Sequence, residues 1–296
     1  MTNQIDVKNN TKYRAVLNAG FVGLVDHMGD DSAIVQAARV SYGKGTKKIS
    51  EDRGLINYLV RHAHTTPLEM VTFKFHCKMP LFVARQWIRH RTASVNEYSG
   101  RYSEMSEDMY FPELEQIQPQ STNNKQGRSG EFTAQEKRQI AFIINENNVH
   151  DQNNYQHLLS TGLAKELARG VLSVNNYTEW YWQINLHNLF HFLKLRLDKH
   201  AQYEIRVFAE AMYELIKDIV PLACDAFENY IFNTEDKTYQ NYHISKAELI
   251  CLRSLIDGLK GHMDGYIEDM LFEMKDQGGG VSQRELDEFK RKFDIK

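Results

Sequence analysis

Between residues 71 and 79 the chain reads VTFKFHCKM. Val71, Phe73, Phe75, Cys77 and Met79 alternate with Thr72, Lys74, His76 and Lys78. That period of two is the signature of a strand with one buried face. Cys77 falls on the apolar side, and Pro80 closes the strand. Upstream, YRAVLNAGFVGLVDHMG breaks short apolar pieces with Gly20, Gly23 and Gly29, which predicts a strand and a turn. Residues 1–12 read as a frayed tail. DSAIVQAARVSY shifts to helical spacing, with Asp31 or Ser32 as N-cap. SEDRGLINYLVRHAH predicts a second helix with Leu55, Ile56 and Leu59 on one face. It stops before Thr66-Pro67, because the residue preceding a proline avoids the α region. LFVARQWIRHR predicts a short helix after the strand, and Gly100 a turn.

The second half is helical in pattern. PELEQIQPQSTNNKQGRSGEF, residues 112–132, reads as a loop or insertion. TAQE at 133–136 is a capping box. Helices are expected over 133–159, 163–172, 178–197 and 201–230. Beyond 231, SKAE (245–248) and SQRE (282–285) each open a charged helix, with GGG at 278–280 between them. This predicts an appended helical region over 231–296.

On a helix over residues 185–200, Leu186, Leu189, Phe190, Leu193 and Leu197 form an apolar face. His187, His191, Lys194 and Asp198 lie opposite. Asn185, Arg196 and His200 fall on the edge of the apolar stripe, on the buried side. A buried Arg is costly without a partner, so Arg196 must meet an acid or an anionic ligand. Glu204 or Glu97 would serve as an intrachain acid. His187 and His191, four apart, carry no HExxH glutamate that would mark a zinc helix.

Composition narrows the function. A chain of 296 residues that is 42% hydrophobic and 25% charged can bury a core. A net charge of -3 argues against a general nucleic-acid or membrane binder. Against that background RHRTASVNEYSGRYS, residues 89–103, stands out: Arg89, His90, Arg91 and Arg101 with no Lys. Arg is favoured over Lys for planar, two-pronged recognition of phosphate or carboxylate. The alternative is an Arg-rich surface loop. Cys77, Cys224 and Cys251 are scattered and odd in number, which fits a reducing, cytoplasmic setting. The polar N-terminus shows no signal peptide, and no apolar run is long enough to span a bilayer. No GxGxxG, GxxxxGK[ST] or GxSxG motif occurs.

RHRTASVNEYSGR resembles the signature of the flavin-dependent thymidylate synthases, an RHR followed by seven residues and Ser99. HAHTTPLE (62–69) resembles a second family segment built on His, Thr-Pro and Glu. ARQWIRHR (84–91), ELARGVL (166–172) and NLHNLFHFLKLRLDKHAQYEIR (185–206) match others in order. The resemblance spans about residues 12–230, the expected catalytic domain, and omits the tail. It implies reductive methylation of dUMP to dTMP, with methylenetetrahydrofolate as carbon donor, FAD as hydride carrier and NADPH as reductant. It also implies a homotetramer with sites shared between subunits. The fold expected is α+β, a mixed sheet packed with long helices. None of the three cysteines lies in a motif, so hydride delivery from flavin, not Cys attack, is the consistent chemistry.

Position by position, Arg89, His90 and Arg91 match the family's FAD-binding triplet, with Thr66, Glu69, Asn96 and Glu97 as further FAD candidates. Gln86, Trp87, Ile88, Arg89, Glu97, Tyr98, Ser99, Gly100 and Arg101 match the dUMP segment. Arg169 matches a second dUMP arginine, which the family supplies from another subunit. Arg196 matches the activating, catalytic arginine. Asn185 and His200 fall around the flavin. So by position do His187 and His191, where the chain departs from the family pattern. His64 matches a position near the nicotinamide or folate face. Two rivals remain open on these residues: an RNA-binding module stacking bases on Tyr98 and Tyr102, and an FAD-dependent NADPH oxidase that makes no thymidylate.

Overall fold

A computed structural model describes residues 6, 7, 9–40, 52–122, 127–232 and 252. The chain divides into two compact units, residues 1–225 and 226–296. The two capping-box helices expected after residue 231 lie outside the described residues.

The first unit is built on five strands: β1 (Tyr13–Val16), β2 (Gly20–Met28), β3 (Thr72–Pro80), β4 (Ser94–Glu97) and β5 (Tyr177–Asn185). They lie in the order β1-β2-β3-β5-β4. The α+β class is as expected, although every strand pairing is antiparallel where a mixture of directions was anticipated. β3 sits at the centre because its alternation gives it one fully apolar face. Phe73, Phe75, Cys77 and Met79 are all fully buried, and burial pushes the Cys77 thiol well up.

β5 corrects the sequence reading, which ran a helix through 178–197. Thr178, Trp180, Trp182 and Ile184 are buried while Glu179, Tyr181 and Gln183 are not, a period of two. Aromatic and β-branched residues favour that pleated surface. The helix proper, α6, begins only at Leu186.

The helices are α1 (Asp31–Val40), α2 (Asp52–Arg61), α3 (Leu81–Trp87), α4 (Ala134–Ser160), α5 (Lys165–Ala168), α6 (Leu186–Arg196), α7 (Tyr203–Lys217) and α8 (Pro221–Phe227). Asp30, not Asp31 or Ser32, caps α1: its carboxylate accepts from the Ser32 amide at 2.8 Å. Asp31 instead accepts from the Leu222 and Ala223 amides, at 2.7 and 3.0 Å, at the start of α8. The expected helix over 201–230 is interrupted before Pro221, which has no N–H to continue the ladder. The helix expected over 163–172 shrinks to α5 and one 3-10 turn, Arg169–Val171. The Thr133–Glu136 capping box is present as expected.

α3, α6 and α7 cover the apolar side of the sheet. Their meeting point is Trp87, wholly buried. It stacks on Phe192 at 5.1 Å and meets Trp180, Trp182 and Phe208 at 5.3–5.9 Å. Aromatic groups of this size dominate core energetics. Trp87 thus sets the relative positions of the C-terminal ends of α3 and α6. Among the described residues no helix is long and apolar enough to cross a membrane.

Candidate active site

Helix α3 ends at Trp87, and the His90 amide donates to the Trp87 carbonyl at 2.9 Å. The chain therefore turns out of the helix with Arg89 and Arg91 exposed and His90 half-buried. Helix α6 starts directly from β5. Asn185 caps it, its side chain accepting from the Asn188 amide at 2.9 Å. Arg196 is delivered in the last turn of α6, half-buried.

The guanidinium of Arg196 does not meet either acid proposed for it. Its Nε donates to His90 Nε2 at 3.1 Å. Glu97 accepts from Thr178 at 2.7 Å instead. Glu204, 1% exposed, takes Arg128: one guanidinium nitrogen lies 2.6 Å from each carboxylate oxygen. Tyr110 and Gln202 donate to the same carboxylate at 2.8 and 2.9 Å. Burial alone would raise the Glu204 carboxyl. The Arg128 hydrogen bonds and charge outweigh it, and the carboxyl sits below its ordinary value. His90 behaves oppositely: burial, then the charges of Arg196 and His191, push it down to about 4. Burial likewise lowers Arg196, but a guanidinium stays charged at any working pH.

Arg196 and Gln86 line a cleft of about 820 Å³. Gln116, Gln118, Gln120 and Arg128 from the 112–130 loop form another wall, with Lys199, His200 and Arg206 nearby. Arg128 holds to Gln116 through a bond to its carbonyl at 3.0 Å, as well as to Glu204. Sequence reasoning missed this wall. One signal was available: three glutamines recur every second residue, the period of an extended segment facing one way.

A second group forms around the signature turn. The edge strand β4 carries Asn96 and Glu97, both exposed. The Tyr98 amide extends the ladder to Glu179 at 2.8 Å. Residues 99–103 then turn tightly, with the Tyr102 and Ser103 amides donating to the Ser99 carbonyl. Gly100 is buried. A Cβ there would sit 2.5 Å from the Met105 sulfur and 3.1 Å from Arg169 Cδ, so a larger residue would require the Met105 and Arg169 side chains to shift. Arg169, distant in sequence, thus lies against the turn of its own chain. Arg101 pairs with Glu166 at 3.4 Å in the open. No hydrogen bond or ion pair among the described residues joins this group to the Arg196–His90–Gln86 group.

The other expected residues scatter more widely. Trp87 is held in the core by its side chain, while Ile88 is exposed. Exposed Thr66 and half-buried Glu69 lie on a 3-10 turn, Thr66–Met70. Exposed His64 and His62 gather round the Tyr58 ring at 5.6 and 4.4 Å. His187 is half-buried and His191 exposed, the latter with its ring 6.1 Å from that of His90. The helical projection of His200 is corrected: α6 ends at Arg196, and His200 lies exposed beyond it, its ring bonded to Asp198 at 2.9 Å. Leu197, placed on the buried face, is only half-buried, whereas Phe192 is wholly buried. Arg89, Arg91, Arg169 and Arg196 make no ion pair among the described residues. Guanidinium groups left without an intrachain acid are suited to anionic ligands.

Residues 23–222 match the family profile described as Thymidylate synthase complementing protein. The chain belongs to this family. Among its relatives, the flavin-dependent thymidylate synthase of Gluconobacter oxydans is 57% identical over 263 residues, covering 82% of this chain and 87% of that protein. That of Rickettsia conorii is 52% identical over 258 residues, covering 83% and 85%. A solved structure of the UMP/dUMP methylase PolB from Streptomyces cacaoi, bound with 5-Br dUMP, is 31% identical with a TM-score of 0.65. It covers 72% of this chain and 97% of that one.

Proposed function

We propose that the chain methylates dUMP to dTMP as a flavin-dependent thymidylate synthase, with FAD as hydride carrier, methylenetetrahydrofolate as carbon donor and NADPH as reductant. The observation that carries this reading is Arg196: a half-buried cation lining a polar cleft, with no carboxylate partner among the described residues. Gln86 lines the same cleft, and its Oε1 is buried without a hydrogen-bond partner among the described residues. A buried acceptor left unpaired asks for a donor from a ligand. A pyrimidine base supplies polar edges for both residues.

The residues also fit FAD. Arg89 and Arg91, exposed and without ion pairs among the described residues, suit a diphosphate. The Asn185 side-chain amide nitrogen, without a hydrogen-bond partner among the described residues, is a donor for a polar ring edge. When bound, the flavin supplies the electron pair that the transferred one-carbon unit needs to become a methyl group. The protein's part is positional and electrostatic. Arg196 beside N3 and its neighbouring carbonyl favours the ionised pyrimidine and so lowers the N3 pKa. Gln86 orients the base. Tyr98–Arg101 and Arg169 offer a backbone turn and two cations for the substrate phosphate, with Ser99 as a hydrogen-bond donor. His64, in its exposed ring cluster, faces the folate or nicotinamide.

The two residue groups are separate in one chain, which supports a shared-site homotetramer. In that arrangement the Tyr98–Arg101/Arg169 group of one subunit meets the Arg196–Gln86 group of another. Phe142, Ile143 and Val149 on α4 are exposed apolar residues that such contacts would cover. The deciding experiment is tritium release from 5-labelled dUMP with the purified yellow protein, NADPH and methylenetetrahydrofolate. Folate-dependent release is expected. NADPH oxidation with oxygen alone, and no release, would make the protein an oxidase.

A further inference from the structure

Resting on the thymidylate synthase reading, we infer that His90 is a positioning residue for Arg196: its ring accepts from the Arg196 Nε–H and leaves the two terminal guanidinium nitrogens for the pyrimidine. A guanidinium has donors only, so in the 3.1 Å contact Nε2 of His90 must be the acceptor. The proton of the neutral ring is then on Nδ1. The ring does not drift. Its backbone is tied to Trp87 at 2.9 Å. Its face meets Phe192 edge-on at 4.9 Å, and Phe192 is wholly buried against Trp87. The same Trp87 core that places α3 against α6 therefore sets the angle of the Arg196 side chain.

The chemistry follows from which nitrogen is taken. A guanidinium offers one edge through Nε and another through its two terminal nitrogens. With Nε engaged by His90, the terminal edge is the one presented, and it matches the paired N3 and carbonyl edge of uracil. The charge state supports the geometry. Burial, then Arg196 and His191, hold His90 down to about 4, so at neutral pH the ring is an acceptor and adds no positive charge beside Arg196. Among the described residues, the charged or titratable groups acting on it are Arg196 and His191. This role differs from direct contact with the flavin, which position alone had suggested for His90.

Three measurements test it. His90→Leu should retain FAD through gel filtration and keep NADPH-driven flavin reduction within about threefold, while dUMP-dependent flavin oxidation falls roughly 10²-fold, the effect expected when a transition-state donor is misplaced. His90→Gln, whose amide oxygen can accept from Nε, should recover about tenfold of that loss, the worth of a hydrogen bond to a charged group. Loss of FAD from a folded His90→Leu protein, or no recovery in His90→Gln, overturns the proposal. Should His90→Leu fail to fold, the third measurement decides alone. Nitrogen NMR of the wild-type imidazole at pH 7 should show Nδ1 protonated and Nε2 bare, and Arg196→Met should raise the His90 titration midpoint. A protonated Nε2 sinks the idea. None of these NMR outcomes depends on thymidylate synthesis, whose absence in the wild type would instead refute the functional reading.

Discussion

On one wall of the cleft, Arg128 reaches both oxygens of Glu204, and Tyr110 and Gln202 complete the carboxylate. On another, Arg196 has a neutral histidine as its neighbour and no acid among the described residues. Both are partly buried arginines in one polar cleft. The first is internally satisfied and serves the fold by bonding to Gln116 and Glu204. The second is held in place by a group that takes one donor and leaves its charge available. The difference separates structural from ligand-directed arginines by what is left over after the intrachain partners are counted.

The sharpest way to break this comparison is to strip the satisfied site. Arg128→Met leaves the Glu204 carboxylate buried and unpaired, and should lower stability by about 3–5 kcal/mol in urea denaturation at pH 7. The folded Glu204 carboxyl is depressed, so the pair's contribution is fully present above the ordinary value of 4.5 and is lost as pH falls through the folded value. The gap between wild type and Arg128→Met should therefore narrow on acidification. A gap constant from pH 7 to pH 3 would mean the pair is not the source.

Next in size, Arg196→Lys should cost little stability yet slow flavin oxidation with dUMP bound by roughly 10²-fold, because a point-charge ammonium cannot reproduce a planar contact. Flavin reduction by NADPH should be far less affected. Wild-type hydride transfer in stopped flow would make Arg196 a structural residue. Arg91→Ala should weaken FAD retention by about 1.5–3 kcal/mol, one charge-assisted contact, in a folded protein. Undiminished flavin after gel filtration would remove Arg91 from the site. Smallest of all, Glu166→Gln breaks only the exposed pair with Arg101, and thermal denaturation should move by less than the equivalent of about 1 kcal/mol. A larger shift would show that the signature turn depends on that pair for its shape.

The sequence revealed what local period and punctuation encode. The alternation of β3, the Thr133–Glu136 box and, apart from Leu197 and Phe192, the apolar face of α6 appear where expected. β5 was misread because no Gly or Pro separates it from α6: the alternation of Thr178, Trp180, Trp182 and Ile184 with Glu179, Tyr181 and Gln183 runs straight into the helical spacing of α6, and pairing partners decide where one period gives way to the other. Those partners, β3 and β4, are set by long-range contacts. The same limit applied at the site. The projection found Arg196 on the buried edge, but not that Glu204 was already claimed by Arg128, nor that Arg169 lies against Gly100. Which acid meets which base is a tertiary fact.

Asn185 closes β5 opposite Thr72 and, one residue later, α6 has begun. Its side-chain oxygen accepts from both the amide and the side chain of Asn188, at 2.9 Å each. Asp, Ser or Thr could take over the capping oxygen alone with modest cost. None of them offers an amide N–H₂ on the far side. On the reading that this nitrogen meets a ligand, drift at the position would be filtered twice, by the helix start and by that contact, and only asparagine would pass both filters. A chain that lost its ligand would relax the second filter first. Serine or aspartate appearing at 185 in an otherwise intact descendant would be an early mark of a retired site.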